Sequence, residues 1–247
     1  MSILLRFQTI EDKDKHEAVR RLVEGSTGDF NFSFMMVLAV MMATLGLLAG
    51  NEAIVIGSML VAPLLYPVLS LGLGISMSDY SLISRSSWTV VKASLLSVFA
   101  AAATTVFFTF SGVSFGLNDA IALRIESSLL YLVVAVVSGL AMAYALVKPR
   151  LSETLPGVAI SVALIPPLAA IGVGVAWLSL PIIAGAAMMF FVNVFGILAA
   201  ATLSFSLMDV HGEQKTAAVV IAKEERRVER EDKKASTLPE TEAKQVA

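Results

Sequence analysis

The chain has 247 residues, of which 57% are apolar and only 15% are charged, and its net charge at neutral pH is −2. This apolar content is higher than the core of a soluble protein needs. The small net charge offers no basic surface for nucleic acid. The sequence contains no cysteine, which excludes disulfides, thiolate metal sites and cysteine catalysis. Charged residues collect at the two ends, so we expect residues 32–207 to form a transmembrane domain.

The N-terminal segment, residues 1–31, is charged from Glu11 to Lys15 and lacks the early apolar core of a cleaved signal sequence. Six apolar runs of roughly 20 residues follow, each long enough for a transmembrane helix. They lie at about residues 32–50, 53–76, 88–110, 129–147, 156–177 and 181–207. A charged tail, residues 208–247, is expected to form a helix over about residues 215–234 and then a non-helical end. The predicted fold class is all-α, a polytopic bundle of six transmembrane helices.

Lysine and arginine predict the orientation, because these residues resist translocation and collect on the cytoplasmic side. Both ends of the chain are rich in them, and the connections after the second and fourth spans carry Arg85, Lys148 and Arg150. Of the opposite connections, only the one between spans three and four carries a basic residue, Arg124. We therefore expect both termini on the cytoplasmic side of the inner membrane. Lys92 is expected to reach the cytoplasmic interface beside Trp88.

Two segments 103 residues apart resemble each other: VIGSMLVAPLL, which begins at Val55, and VAISVALIPPL, which begins at Val158. This alignment pairs Ser58 with Ser161 and Pro63 with Pro166, and both segments continue into two glycines: Gly72 and Gly74, then Gly172 and Gly174. Each segment is the second span of a three-span group. Two homologous halves, about residues 32–110 and 129–207, would therefore have opposite orientations, the inverted-repeat plan of many transporters and channels. Apolar helices also match by chance, so this repeat is a hypothesis.

Prolines near the middle of a span free backbone carbonyls, because proline lacks an N–H and crowds the carbonyl four residues earlier. Pro63 is expected to free the carbonyl of Met59, and Pro67 that of Pro63. The second proline pair is expected to act in the same way on the carbonyls of Val162 and Ala163. Broken helices at matching places in two halves are typical of ion and solute sites. The predicted pathway consists of Ser58, Met59, Pro63, Pro67, Ser161, Val162, Ala163, Pro166, Pro167 and Asn193.

The same residues have a purely structural interpretation. Prolines commonly kink membrane helices, and serines bond to the backbone of their own helix. Asn193, near the middle of the sixth span, equally suits an interhelical hydrogen bond or a polar path.

Two motifs carry a family resemblance: NEAIVIGSMLVAPLLYPVLSLGLGI and LPGVAISVALIPPLAAIGVGVAW, with FFVNVFGI after the second. The chain resembles, from about Phe34 to Leu207, the bacterial and archaeal membrane family called domain of unknown function 389. The resemblance supports the topology and adds little chemistry, because the family is functionally uncharacterised. Residues in which the members resemble each other include Gly57, Met59, Pro63, Pro67, Gly157, Pro166, Pro167 and Asn193. Tyr66 departs from the small residue expected within the first motif.

Two classes of function fit these features. The leading hypothesis is a transporter or channel for a small solute or ion that passes the two proline breaks. The alternative is a scaffold or sensor that acts through its cytoplasmic ends, with small-residue faces for a second copy of the chain. An enzyme is not expected, because His16 and His211 lie outside the spans and no nucleophile has a base nearby in sequence. We expect no cofactor and no metal site, and as partners the lipid bilayer, a small solute or ion and further copies of the chain.

Overall fold

The computed structural model describes residues 10–111, 116–126, 128–148, 151 and 164–245, with side chains described as far as residue 234 except at His211. Within these ranges the secondary structure is entirely helical, which confirms the all-α fold class. The helices are α1 (Asp12–Gly25), α2 (Phe30–Leu48), α3 (Glu52–Val61), α4 (Leu65–Met77), α5 (Tyr80–Phe110), α6 (Asp119–Ala122), α7 (Leu129–Val147), α8 (Ile165–Ala176), α9 (Leu180–Leu207) and α10 (Gln214–Gln245), with a 3-10 turn at His211–Glu213.

Four helices, α2, α5, α7 and α9, are long and apolar enough to cross a membrane. Helices α3 and α4 pass the same test together and are bent by 52° at a short break, so they form a fifth crossing if they are one span. Helix α8 is apolar but has only 12 residues. The predicted span at 156–177 includes residues 156–163, which lie outside the described residues. The count of six spans therefore stays a prediction.

Two predicted helix boundaries were wrong, and one helix was not predicted. Helix α5 begins at Tyr80, eight residues before the predicted start of the third span, because the polar stretch before Trp88 continues the helix. The N-terminal segment contains the amphipathic helix α1, whose buried face includes Ala18, Val19, Leu22 and Val23. The tail helix α10 continues to Gln245, where a non-helical end was expected; it passes through Pro239, and local propensity does not explain this extension.

Two helical hairpins, α4–α5 and α8–α9, lie at the centre of the fold and have the same turn. Helix α4 ends at Ser78 with a φ of 56°, and α8 is followed by Leu178 with a φ of 54°. The next amide in each case, that of Asp79 or Ser179, donates to the carbonyl of Gly74 or Gly174 at 2.9 Å. In both turns a left-handed residue follows the helix, and the next N–H pairs with the carbonyl five residues earlier. This is the Schellman motif, which ends many helices.

The two hairpins also pack on each other in a reciprocal way. A Cβ on Gly72 of α4 would lie 2.9 Å from Ala201 Cβ of α9, and a Cβ on Gly172 of α8 would lie 2.9 Å from the amide nitrogen of Ala102 in α5. Each short helix therefore touches the long helix of the other hairpin at an equivalent place. Close approach of this kind requires a residue without a side chain, as is common between membrane helices.

The equivalence within these hairpins is an offset of 100 residues, and not the predicted 103. It pairs Gly72 with Gly172, and Pro67 with Pro167. The predicted pairing of Pro63 with Pro166 is wrong for the folded helices, because Pro63 precedes α4 whereas Pro166 lies in the first turn of α8. Proline is tolerated at either place, so a match between prolines alone does not fix the register.

Helices α1 and α10, the first and last described helices, pack together at one end of the bundle, and with the 3-10 turn they form the terminal layer. Lys15 Nζ donates to the carbonyl of Asp209 at 3.0 Å. Arg227 of α10 pairs at 2.8 Å with Asp29, which caps α2. Arg85 of α5 donates to Thr27 Oγ1 at 3.0 Å and pairs with Glu225 of α10 at 3.4 Å. These contacts hold the polar start of α5 within the layer.

At the other end of the bundle, α6 covers the junction between α2 and α3. Asn118 Nδ2 donates to the carbonyl of Leu47 at 2.8 Å. Arg124 pairs with Glu52 at 2.9 Å, and only 12% of its side chain is exposed. The one basic residue that departed from the expected charge bias is thus neutralised by a carboxylate of the same protein.

Candidate functional site

The candidate site is the interruption between α3 and α4, at Ala62–Leu64, called here the break. Helix α3 ends at Val61, Ala62 is extended with φ −78° and ψ 126°, and α4 begins at Leu65. Pro63 occupies the centre of the break and is half-buried. A proline cannot continue the hydrogen-bond ladder of α3, so the chain leaves the helix one residue before it.

The last carbonyls of α3 have no backbone partner among the described residues. None of the described N–H groups donates to the carbonyl of Met59, Leu60 or Val61. Pro63 removes the donor that an uninterrupted helix would offer to Met59, and the extended Ala62 turns the following chain away. Three acceptors therefore remain at a helix C-terminus, where the peptide dipoles already place negative partial charge.

The second proline of the motif acts differently from the prediction. The carbonyl of Pro63 is not freed by Pro67, because it accepts a hydrogen bond from the amide of Tyr66 at 3.3 Å. Pro67 is the third residue of α4 and is buried. In the first turn of a helix the missing N–H has no carbonyl to leave unpaired.

The start of α8 also favours a site for positive rather than negative ions. Pro166 and Pro167 are the second and third residues of α8, and both are buried. Together with Pro67 they remove N–H groups from two helix N-termini, where such groups would otherwise attract anions. Helix α8 also contacts α3, so it lies beside the broken span. The free polar groups at the break are carbonyl oxygens, which suit a cation.

Several predicted pathway residues prove to be packed. Ser58 is fully buried and donates to the carbonyl of Val55 at 2.6 Å, which is the local bonding expected of a structural serine. Met59 is also buried. Asn193 of α9 is buried and has an interaction partner, so it is not a free amide. These predicted side chains therefore pack within the bundle, and the unpaired polar atoms at the break belong to the backbone.

Three further predicted residues, Ser161, Val162 and Ala163, lie outside the described residues. Among the residues that are described, no group of three or more histidine or carboxylate side chains could hold a metal ion.

Sequence reasoning missed the part that α1 plays at the site. The ring of Tyr66 packs on Gly25, where a Cβ would lie 2.9 Å from the ring. Ser70 Oγ, one turn further along α4, donates to the carbonyl of Leu22 at 2.8 Å and is fully buried. Helix α1 therefore covers α4 immediately after the break. The signal was present in the sequence as the apolar spacing of α1, together with the unusual tyrosine.

Comparison with known proteins places the chain among uncharacterised relatives. The family model described as "Domain of unknown function (DUF389)" matches residues 59–199, which include the break, the hairpin α4–α5, α7, α8 and most of α9. An uncharacterized protein of the archaeon Methanocaldococcus jannaschii is 28% identical over 213 residues, an alignment that covers 82% of this chain. The chain spans 64% of the length of that relative. No solved structure matches.

Proposed function

The chain belongs to the family of the domain of unknown function 389, and we propose that it is a multi-pass membrane protein that passes a small cation through the break. The observation that carries this proposal is the set of three carbonyls, those of Met59, Leu60 and Val61, without a backbone partner among the described residues. Carbonyl oxygens replace the hydration shell of a cation in selective pores.

The location of these carbonyls supports transport over a simple kink. Leaving a backbone carbonyl unpaired in an apolar surrounding costs free energy, so irregular backbone within a membrane domain is tolerated where it lines a cavity or is buried in protein. A kink that had no other role would lose this cost by relaxing into a local turn. A cation that binds to the carbonyls as it passes offsets this free-energy cost, and the unpaired carbonyls then have a function.

The symmetry of the hairpins supports an inverted repeat around this site. The reciprocal contacts of Gly72 and Gly172 with the long helices of opposite halves are what a two-fold axis in the membrane plane would produce. In this proposal both termini lie on the cytoplasmic side, where the basic residues of the terminal layer collect. Helix α1 then covers the break from the cytoplasm.

The alternative is a scaffold or sensor that acts through the terminal layer. Its specific support is two ion pairs that hold α10 on the bundle, Arg85 of α5 with Glu225 and Arg227 with Asp29, which caps α2. In that case the break is a dry structural bend, and cation movement does not depend on it.

Flux measurements on two proline variants test the proposal. Purified protein in liposomes is expected to raise the uptake of radiolabelled rubidium or sodium above that of empty liposomes. Pro63→Ala restores an N–H that can pair with Met59 and is expected to lower this uptake about tenfold, which corresponds to a loss of about 1.4 kcal/mol in cation binding.

Pro67→Ala is the matched control, because Pro67 lies in the first turn of α4 and frees no carbonyl. It is expected to keep the uptake, and circular dichroism with size-exclusion chromatography establishes that both variants fold. Uptake no greater than that of empty liposomes, or equal uptake by the wild type and a folded Pro63→Ala variant, contradicts the proposal and favours the scaffold.

A further inference from the structure

A single cation lies on an otherwise apolar, exposed face of α5. Trp88 and Phe99 on this face are 62% and 73% exposed, and Val91 and Leu95 between them are exposed as well. Lys92 is part of this face, and its ammonium lies 5.8 Å from the centre of the Trp88 ring. An exposed apolar face on a candidate membrane span faces lipid, so Lys92 carries its charge at the edge of the hydrocarbon.

Two arginines at this end of the bundle have carboxylate partners, whereas Lys92 has none among the described residues. Arg85, two turns earlier on α5, pairs with Glu225, and Arg227 pairs with Asp29. No described carboxylate lies within 4.0 Å of the Lys92 ammonium, and its described contact is the Trp88 ring. A charge in this position is stabilised by an anion that the protein itself does not supply.

A small cavity of about 60 Å³ opens beside this ammonium, between the start of α2 and α5. Ser33 lines it, and its hydroxyl has no hydrogen bond with the described residues. Gly28 also lines the cavity, and a Cβ there would lie 3.8 Å from Lys92 Nζ, in ordinary van der Waals contact. The cavity thus offers one cation and one free hydroxyl donor to an acceptor group. Its lining residues are Gly28, Phe32, Ser33, Thr89, Lys92, Ala93 and Leu96.

We propose that this cavity binds the phosphate of an anionic phospholipid, with Lys92 and Ser33 on the phosphate oxygens. Trp88 lies next to the ammonium, as expected of a residue at the level of the headgroups. The exposed side chains of Leu95 and Phe99 continue along α5 beyond Lys92 and provide an apolar track for an acyl chain. This track is why a lipid fits better than free phosphate. The proposal does not depend on cation transport.

Native mass spectrometry of the purified protein with phosphatidylglycerol and with phosphatidylcholine tests this site. Lys92→Met keeps the apolar stem and is expected to weaken phosphatidylglycerol binding about fivefold, the effect of one cation at an anionic surface. Its binding of phosphatidylcholine is expected to stay within twofold of the wild type, by the same electrostatic argument. Lys92→Arg is expected to retain most of the affinity, and Ser33→Ala to lose a smaller part of it.

The matched control is Lys223→Met on the tail helix, which changes the net charge equally at a place far from the cavity in sequence and is expected to bind like the wild type. Three results would overturn the proposal. One is an unchanged affinity of a folded Lys92→Met variant for phosphatidylglycerol. Another is an equal loss in Lys223→Met, which would assign the binding to the tail. The third is displacement of the lipid by millimolar inorganic phosphate, which would make the cavity a free-phosphate site.

Discussion

The hairpins α4–α5 and α8–α9 share their turn and their glycine contacts, yet different elements cover them. In the first hairpin, α4 is covered by α1, with Ser70 bonded to Leu22 and Tyr66 packed on Gly25. In the second, α8 packs against α2, a long apolar helix. Equivalent backbone geometry can therefore be covered by a charged amphipathic helix in one hairpin and by a long apolar helix in the other. The covers, and not the hairpins, make the two ends of the protein different.

The largest effect is expected from filling the glycine contacts that the hairpins share. Gly172→Ala places a Cβ 2.8 Å from the carbonyl oxygen of Val98 and 2.9 Å from the amide of Ala102, and backbone atoms cannot move cheaply. We expect a loss of about 1–3 kcal/mol in the free energy of unfolding. Gly72→Ala meets Thr202 N at 3.2 Å and is expected to lose somewhat less. Unfolding in sodium dodecyl sulfate, followed by circular dichroism, measures both changes.

Gly57→Ala is the control for this pair, because a Cβ on Gly57 meets nothing within 4 Å. It is expected to be neutral or to stabilise by up to about 1 kcal/mol, since alanine favours a helix. If Gly172→Ala were as harmless as Gly57→Ala, the close crossing of the hairpins would be wrong.

The next effect concerns the cover of the first hairpin. Ser70→Ala removes the hydrogen bond to the carbonyl of Leu22 and is expected to lower stability by about 0.5–1.5 kcal/mol. The equivalent residue in the second hairpin is already Ala170. Hydrogen exchange is expected to increase in α1 and to stay unchanged in α2. Equal increases in hydrogen exchange in α1 and α2 would mean that the Ser70 hydrogen bond does not stabilise α1 specifically.

A smaller effect of the opposite sign is expected at the two turns. Ser78 and Leu178 both adopt a left-handed conformation, which glycine accepts without strain. Ser78→Gly and Leu178→Gly are each expected to raise the free energy of unfolding by about 0.5–1 kcal/mol, and by similar amounts. If one variant raised the free energy of unfolding and the other lowered it in the same experiment, the two turns would not be structurally equivalent.

The smallest effect is electrostatic and confined to α1. Hydrogen bonds from Arg20 and Arg21 lower the pKa of Glu17 below its ordinary value. Their contribution to the stability of α1 is therefore present above the ordinary pKa and disappears as the pH falls through the lowered one. Hydrogen exchange in α1 is expected to depend less on pH in Glu17→Gln as the pH falls below the ordinary carboxyl pKa, and the effect is small because solvent screens these surface pairs. An unchanged pH profile would contradict this assignment.

Local sequence patterns predicted those parts of the fold that depend on nearby residues. Helix α7, Leu129–Val147, has both predicted ends, because polar residues flank one uniform apolar run. The bend at Pro63 also follows from a local rule, the missing N–H of proline. The early start of α5 did not, because Arg85 is accommodated by Thr27 and Glu225, which lie far away in sequence.

The sequence predicted the break at Pro63 and the freed carbonyl of Met59, but it assigned the wrong role to the polar side chains nearby. Ser58 and Asn193 looked like ligands because they are polar, yet burial and hydrogen bonding occupy them. The carbonyls that remain free belong to residues whose side chains carry no chemical signal. The predicted pairing of Pro63 with Pro166 failed for a similar reason. Pro166 lies where a helix tolerates proline, and Pro67 and Pro167 are each the third residue of their helix.

The most direct test of the break is the accessibility of a cysteine at Ala62, its extended and half-buried residue. The chain contains no cysteine, so Ala62→Cys reports only this position, and Ala143→Cys, in a fully buried part of α7, is the matched control. If a cation path passes the break, a membrane-impermeant cationic thiol reagent labels Ala62→Cys, and rubidium slows the labelling. Protection of Ala62→Cys equal to that of Ala143→Cys, in folded protein, would contradict the path and leave the break as a packed bend.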